Sequence, residues 1–356
     1  MRLLVTGHLG YIGTAIVPMF VAAGHEVVGL DANFFENCTL GPEPGLVPGI
    51  RRDVRDVDPG DLQGFDAVLH LAALSNDPLG EMNPGVTYDI NHKAAVRLAK
   101  MAKAAGVKRF LFSSSCAIYG AAGDEMLDEN ATFNPVTAYG RSKVLVERDL
   151  AGLADARFAP TCLRNATAYG FSPRLRLDIV LNDLVAAAFT TGCILMRSDG
   201  TPWRPIVHVE DIGRAVLAVL RAPAEAVCNE AFNVGVDEDN HQIHDLAEMT
   251  RGIVPGSRIA YAPGAGPDKR CYRVSFKKLR TRLPDFRPEW TASRGAQQLY
   301  GAFRRFRLTA DDYSGPRFRR LTWMRDMLNA GALDSSMRWA AQTASERAGI
   351  AGHGAS

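Results

Sequence analysis

The chain is short of cysteine, of excess charge and of long apolar runs, and each shortage closes off a class of protein. Its 6 cysteines stand apart at positions 38, 116, 162, 193, 228 and 271. No two are spaced C-x-x-C, so neither a disulfide framework nor a cysteine zinc site is expected; they read as reduced thiols of a cytoplasmic protein. Lys and Arg number 41 against 39 Asp and Glu, a net charge of +2. That balance offers no field for drawing in nucleic acid or an anionic membrane surface, so neither is expected as a partner. The longest apolar stretch, Ile179 to Met196, is broken by Asn182 and Asp183. It reads as a core helix and a strand, not as a membrane span. The opening MRLLVTG reads as a buried strand and lacks the succession of a signal peptide.

What is present is an alternation. RLLVTG, EVVGLD, AVLHLAA, RFLFSSS and APTCLRNA are short apolar runs. Helical patterns separate them around residues 12–23, 87–105 and 137–150. Strands alternating with helices predict a parallel sheet covered on both faces. The fold class expected is α/β: a Rossmann-type doubly wound parallel sheet with a smaller C-terminal α/β lobe for substrate. With 47% hydrophobic residues over 356 positions, the chain can hold both. The sheet domain is assigned to 1–170, with 204–235 returning to it, and the lobe to 171–300. Residues 301–356 form an Arg-rich helical tail, in which SGPRFRRLTWMRDMLNAG predicts a capped amphipathic helix and the final AGHGAS disorder.

TGHLGYIG places Gly7, Gly10 and Gly13 between the first strand and the first helix. Glycine allows a sharp turn and close backbone approach to a pyrophosphate. The helix start at Tyr11 and Ile12 adds free N–H groups and a favourable dipole. The next strand ends at Asp31, where an acid binds the adenosine ribose hydroxyls and repels a 2′-phosphate, which selects NAD over NADP. His8, inside the loop, reads as a filler. Further on, TAYGRSK sets Tyr139 and Lys143 four apart on one helix face. A free tyrosine ionises near pH 10, too high for a base. A lysine cation and an oxidised nicotinamide nearby both favour the phenolate, which makes Tyr139 an acid–base candidate for a sugar hydroxyl or carbonyl. Lys143 can also bind the nicotinamide ribose.

Together with DVRD, HLAA, DINHKA, SSSCAIYG, LRNATAYG and WRPIVHVED, these motifs make residues 1–300 resemble the extended short-chain dehydrogenase/reductase family, in its NAD-dependent sugar-nucleotide epimerase/dehydratase branch. The resemblance implies that Asp53 and Val54 flank the adenine and that Leu71, Ala72 and Ala73 line the cofactor channel. It implies that Asn91 supports the site from beneath and that Ser113 lies near the nicotinamide. Ser115 would bond the reacting sugar oxygen beside Tyr139, and Arg204 would grip the substrate diphosphate. It also implies a homodimer formed through the helix carrying YxxxK and the helix around 88–105.

The residues after Ser115 bear on the reaction. Dehydratases of this family place an Asp–Glu pair there, and one class of epimerase–reductase places a cysteine two residues on. This chain has Cys116 and Ala117, which fits the galactose-4-epimerase-like pattern best. A keto-sugar reductase or oxidase is the second enzyme reading, and a cofactor-binding sensor without chemistry the third. For substrate, Asn165, Arg174 and Arg270 join Ser115 and Arg204 as candidates. Arg174 and Arg176 either face phosphate or a sugar acid, or form a solvated loop. Arg270 follows Asp268, whereas the family's arginine in that segment precedes the matching acid, so the nucleotide base is left open. His241 and His244 have metal-like spacing, but no third ligand joins them and no metal is expected.

Overall fold

A computed structural model describes residues 1–45, 47–120, 125–266 and 271–340. Its centre is a seven-stranded sheet in which every neighbouring pair is parallel. From one edge the order is Glu230–Val234, Ala159–Asn165, Arg109–Ser115, Ala67–His70, Arg2–Thr6, Glu26–Asp31 and Gly49–Arg51. The chain starts at Arg2–Thr6, winds outward to Gly49–Arg51, then crosses back to Ala67–His70. That reversal opens a crevice beyond the carboxyl ends of Arg2–Thr6 and Ala67–His70, where doubly wound sheets bind ligands.

The apolar runs sit where burial on both faces demands them: every residue of Ala67–His70 and of Ala159–Asn165 is buried. On one face, helices Tyr11–Ala22 and Val209–Arg221 pack together, with Ile16, Phe20 and Val216 in the core. On the other face Leu98 of Ala95–Ala104 and Val146 and Leu150 of Ala138–Ala151 meet Phe110 and Cys162. The helix expected around 87–105 is continuous from residue 84, but it passes through a π-helical turn at Asp89–Ala94. Such turns are rare and favour functional sites; this one holds Asn91.

The smaller lobe has its own core. The stretch 179–196 folds into helix Val180–Thr191 and strand Cys193–Ser198. The break is Gly192, at φ +67°, a left-handed C-cap that suits glycine. That strand pairs in parallel with Arg258–Gly266, and Leu181, Val185, Leu246, Leu299 and Phe303 close the interior. Trp203–His208 lies in a three-stranded sheet between Asn240–Gln242 and Thr167–Tyr169, whereas Val209–Arg221 and Glu230–Val234 lie against and within the large sheet. The Arg-rich end carries the latter part of helix Ala292–Arg305, then Ala310–Ser314 and Arg320–Asn329. Helix Arg320–Asn329 starts without a side-chain cap. Phe318 is buried in the lobe core, while Met324, Leu333 and Met337 are buried with the large sheet. The AGHGAS terminus lies outside the described residues.

Candidate active site

A cleft of about 810 Å³ runs across the carboxyl ends of the strands. At its first corner the glycine loop is built by contact. Gly7 has φ +74° and donates its N–H to the Leu30 carbonyl at 2.8 Å. A Cβ on Gly7 would come within 2.7 Å of the Ala72 nitrogen, and one on Gly13 within 2.5 Å of the Gly7 oxygen. Side chains are thus excluded where the backbone turns. The helix begins after Gly10 with no side-chain cap, so its first N–H groups are open to an anion. His8 fills space: its ring lies where a Gly29 side chain would be, and burial lowers its pKa.

Asp31 ends the second strand. Its Oδ2 accepts from the Leu9 N–H at 2.9 Å and its Oδ1 from the Asn33 N–H at 2.7 Å. Burial raises the pKa of the carboxyl, and those bonds and the His8 charge oppose the rise. Asp53 is fixed by Arg55, 2.7 Å from its carboxylate, and caps the short turn Val54–Asp56. Gly7, Gly10, Tyr11, Ile12, Gly13, Asp31, Asp53, Val54, Leu71, Ala72 and Ala73 all line the cleft. A tight cradle, an open helix start and a half-buried acid at the second strand end fit an adenine dinucleotide.

The second corner joins strand Arg109–Ser115 to helix Ala138–Ala151. Thr137 caps that helix, its Oγ1 accepting from the Gly140 N–H at 3.1 Å. One face then presents Tyr139, Lys143 and Glu147 at successive four-residue steps. Ser115 and Tyr139 both line the cleft, and the Ser115 hydroxyl lies near enough to favour the phenolate. Lys143 donates to the Ser113 carbonyl at 2.6 Å, and its Nζ lies 5.6 Å from the centre of the Tyr139 ring. Burial lowers Lys143 to about 7, against the opposing Glu147 charge. Burial raises Tyr139 to about 12; the nearby Ser115 hydroxyl and the Arg176 charge pull it back, while Asp77 adds to the rise.

Behind this corner is a buried ion pair that sequence reasoning missed. Arg164 Nη2 lies 2.8 Å from Glu147 Oε2, both side chains under a tenth exposed. Glu147 also accepts from Ser114 Oγ at 2.5 Å, and Arg164 donates to Tyr119 Oη at 3.1 Å. Glu147 follows Lys143 by four residues, so the Tyr139–Lys143–Glu147 spacing was the available signal. Cys116 is 1% exposed and donates to the Arg164 carbonyl at 3.1 Å, and burial pushes its thiol pKa up. Ala117, not Cys116, lines the cleft.

The remaining candidates divide. Ser113, Asn165 and Arg204 line the cleft with Ser115. Asn165 donates to Ser113 Oγ at 2.9 Å, while its own Oδ1 is buried without a hydrogen-bond partner. An acceptor left over at the wall of a cleft suits a ligand. Asn91 stands one layer back: its amide bonds both the N–H and the carbonyl of Leu74, at 2.8 and 3.0 Å. It shapes the wall without lining the cleft, because its amide is spent on the Leu74 backbone. Arg174 is also withdrawn from the cleft. It is 4% exposed and donates to the Leu9, Glu36 and Thr39 oxygens beneath the glycine loop. Neither the phosphate-facing nor the solvated reading describes it. Arg176 does line the cleft, 2.8 Å from Asp178. Arg270 and Asp268 lie outside the described residues. His241 bonds Asp239 and His244 bonds Tyr261, each at 3.1 Å. Arg197, Asp178, Tyr272 and Arg320 also line the cleft and were not singled out as site residues by sequence.

Comparison with known proteins adds to this geometry. The sequence model of the NAD dependent epimerase/dehydratase family matches residues 3–235. A UDP-glucose 4-epimerase of Corynebacterium glutamicum is 30% identical over 307 residues, which is 82% of this chain and 92% of that protein. Among solved structures, MoeE5 in complex with UDP-glucuronic acid and NAD superposes with a TM-score of 0.74 at 27% identity, over 86% of this chain and 99% of its own. The Thermotoga maritima UDP-glucose 4-epimerase with UDP-glucose gives 0.74 at 25% identity, over the same shares of 86% and 99%.

Proposed function

The chain belongs to the NAD-dependent epimerase/dehydratase family, and from that premise we propose that it is an NAD-dependent epimerase of a nucleotide-diphosphate sugar, acting through a transient keto-sugar. One observation carries the reading. Ser115, Tyr139 and Lys143 stand at the wall of a cleft that the glycine loop closes at one side and that reaches the smaller lobe at Leu195, Arg197 and Arg204. A dinucleotide and a sugar nucleotide can thus meet at Tyr139.

NAD, when bound, supplies the acceptor and donor of hydride. The chain's own residues handle the proton. Tyr139 exchanges it with the sugar hydroxyl, and Ser115 hydrogen-bonds the same sugar oxygen beside it. Positive charge from Arg176 favours the phenolate. Lys143, anchored on the Ser113 carbonyl, is the ribose ligand. Asn165 and Arg204 bind the sugar nucleotide, Arg204 through its diphosphate. The small Ala117 after Ser115 supports epimerisation over elimination by an acid pair at that position. Two copies pair through the helices of residues 95–104 and 138–151, beside a shallow depression lined by His92, Val96, Lys100 and Asp149.

The test is a panel of UDP-, dTDP-, CDP- and GDP-sugars, with and without added NAD, followed for product and for NADH. Epimer formed without net NADH is expected, and the names of the relatives put UDP-glucose first. Stoichiometric NADH would make the enzyme an oxidase. Sugar nucleotides that neither bind nor react would overturn the proposal.

A further inference from the structure

Residues 317–340 lie beyond the family match, which ends at 235. They cross the loop that follows Asp31 and are tied to its backbone carbonyls. Arg317 donates to the carbonyls of Asn37 at 3.0 Å and Thr39 at 2.6 Å. Trp323 donates to Phe34 at 2.8 Å, and Trp339 to Ala32 at 2.6 Å. From the other side Arg55, which fixes Asp53, donates to the carbonyls of Ser336 and Met337 at 2.7 and 3.2 Å. Arg338 pairs with Asp56. The segment therefore joins the two loops that carry the adenosine end of the cleft.

One of its side chains enters the cleft. Arg320 is 2% exposed, lines the cavity, and lies 4.1 Å above the Phe35 ring centre. Its backbone N–H donates to Asp178 at 3.2 Å and its Nη2 to the Arg174 carbonyl at 2.9 Å. Its Nη1 is buried without a hydrogen-bond partner. Positive charge is in excess around it. Burial, with the Arg176 charge next, lowers Arg320 to about 10; Cys38, Asp178 and Arg174 are its other charged or titratable neighbours. Asp178 is already committed, accepting from Arg176, Asn76 and the Arg320 N–H. Arg320 reaches the glycine loop through Arg174, whose carbonyl it holds and whose guanidinium bonds the Leu9 carbonyl. A spare donor in a positive cluster beside that loop calls for an anion.

We propose that Arg320, with Arg176 beside it, grips the diphosphate of the bound dinucleotide, and that residues 317–340 are a strap that holds the cofactor in place. This rests on the reading of the cleft as an NAD site. The guanidinium would complete from above what the open helix start offers from below.

Calorimetric affinities of NAD, ADP and adenosine for the wild type and Arg320→Met test it. NAD and ADP should weaken at least about tenfold and adenosine should not change. Unchanged ADP affinity overturns the proposal; so does an equal loss for adenosine, which would mean a collapsed pocket. Arg338→Ala changes a side chain 37% exposed and serves if the first variant does not fold. NAD should leave it several-fold faster, and an unchanged rate overturns the strap. A wild type that binds NAD through Arg320 yet converts no sugar nucleotide would sink the epimerase reading alone. A wild type without NAD affinity would sink both.

Discussion

The two ends of the cleft are held by different means. At the end proposed to be catalytic, strand Arg109–Ser115 and helix Ala138–Ala151 follow closely in the chain, and the buried Glu147–Arg164 pair stands behind them. At the end proposed for adenosine, the closing bonds join residues far apart in the chain: 280 positions from Asn37 to Arg317 and 307 from Ala32 to Trp339. The first end is built within the sheet and its own helix. The second is completed by the C-terminal segment, and a docked terminal segment is the kind of unit that opens locally. Chemistry should therefore depend on the first end, and cofactor residence on the second.

The sharpest test of that division is Tyr139→Phe. Removing a positioned acid–base group costs roughly 10²–10⁴ in rate. We expect turnover at saturating substrate to fall by that much, with NAD affinity unchanged. Near-wild-type turnover would remove Tyr139 from the chemistry. Next is Glu147→Ala, which leaves Arg164 buried and uncompensated. Breaking one side of a buried pair costs about 3–5 kcal/mol, measured by denaturant unfolding. A change within error would show that the catalytic end does not depend on this pair.

Lys143→Met has a pH-dependent effect. Lys143 sits at about 7 in the fold against an ordinary 10.5. Below about pH 7 both folded and unfolded chains hold the proton, and the burial penalty is complete. Between about pH 7 and pH 10 the unfolded chain holds it and the folded chain releases it, so wild-type stability rises with pH. The variant lacks the penalty. Its melting temperature should exceed the wild type's most at and below about pH 7, and the gap should narrow towards about pH 10. A gap constant across that range would show that Lys143 titrates normally.

The same division governs what the sequence revealed. Gly7, Gly10 and Gly13, and Tyr139 with Lys143, are legible because their meaning lies in spacing within one loop or one helix. The parallel sheet is legible for the same reason: its strands announce themselves as local apolar runs. Arg174 illustrates the limit. Its partners Leu9, Glu36 and Thr39 are 165, 138 and 135 residues away, and nothing near Arg174 in the chain points to them. Arg320 lies further still, in a tail whose arginines look alike until the fold singles one out. Asn91 falls between: its segment was found, but the π-helical turn that sets it behind Leu74 has no local signature.

The smallest effect bears on the strap itself. Trp339 Nε1 donates to the Ala32 carbonyl at 2.6 Å, and its ring meets Phe34 with centroids 5.8 Å apart. Trp339→Phe removes the donor and keeps an aromatic ring. One hydrogen bond is worth about 0.5–1.5 kcal/mol, so NAD should dissociate roughly two- to tenfold faster. Turnover with NAD kept saturating should not move, because the bond lies at the adenosine end and touches neither Ser115 nor Tyr139. Stopped-flow displacement of bound NAD measures the first quantity and steady-state assay the second. If turnover fell in step with residence, the two ends would be one cooperative unit, and the strap would serve the chemistry as much as the cofactor.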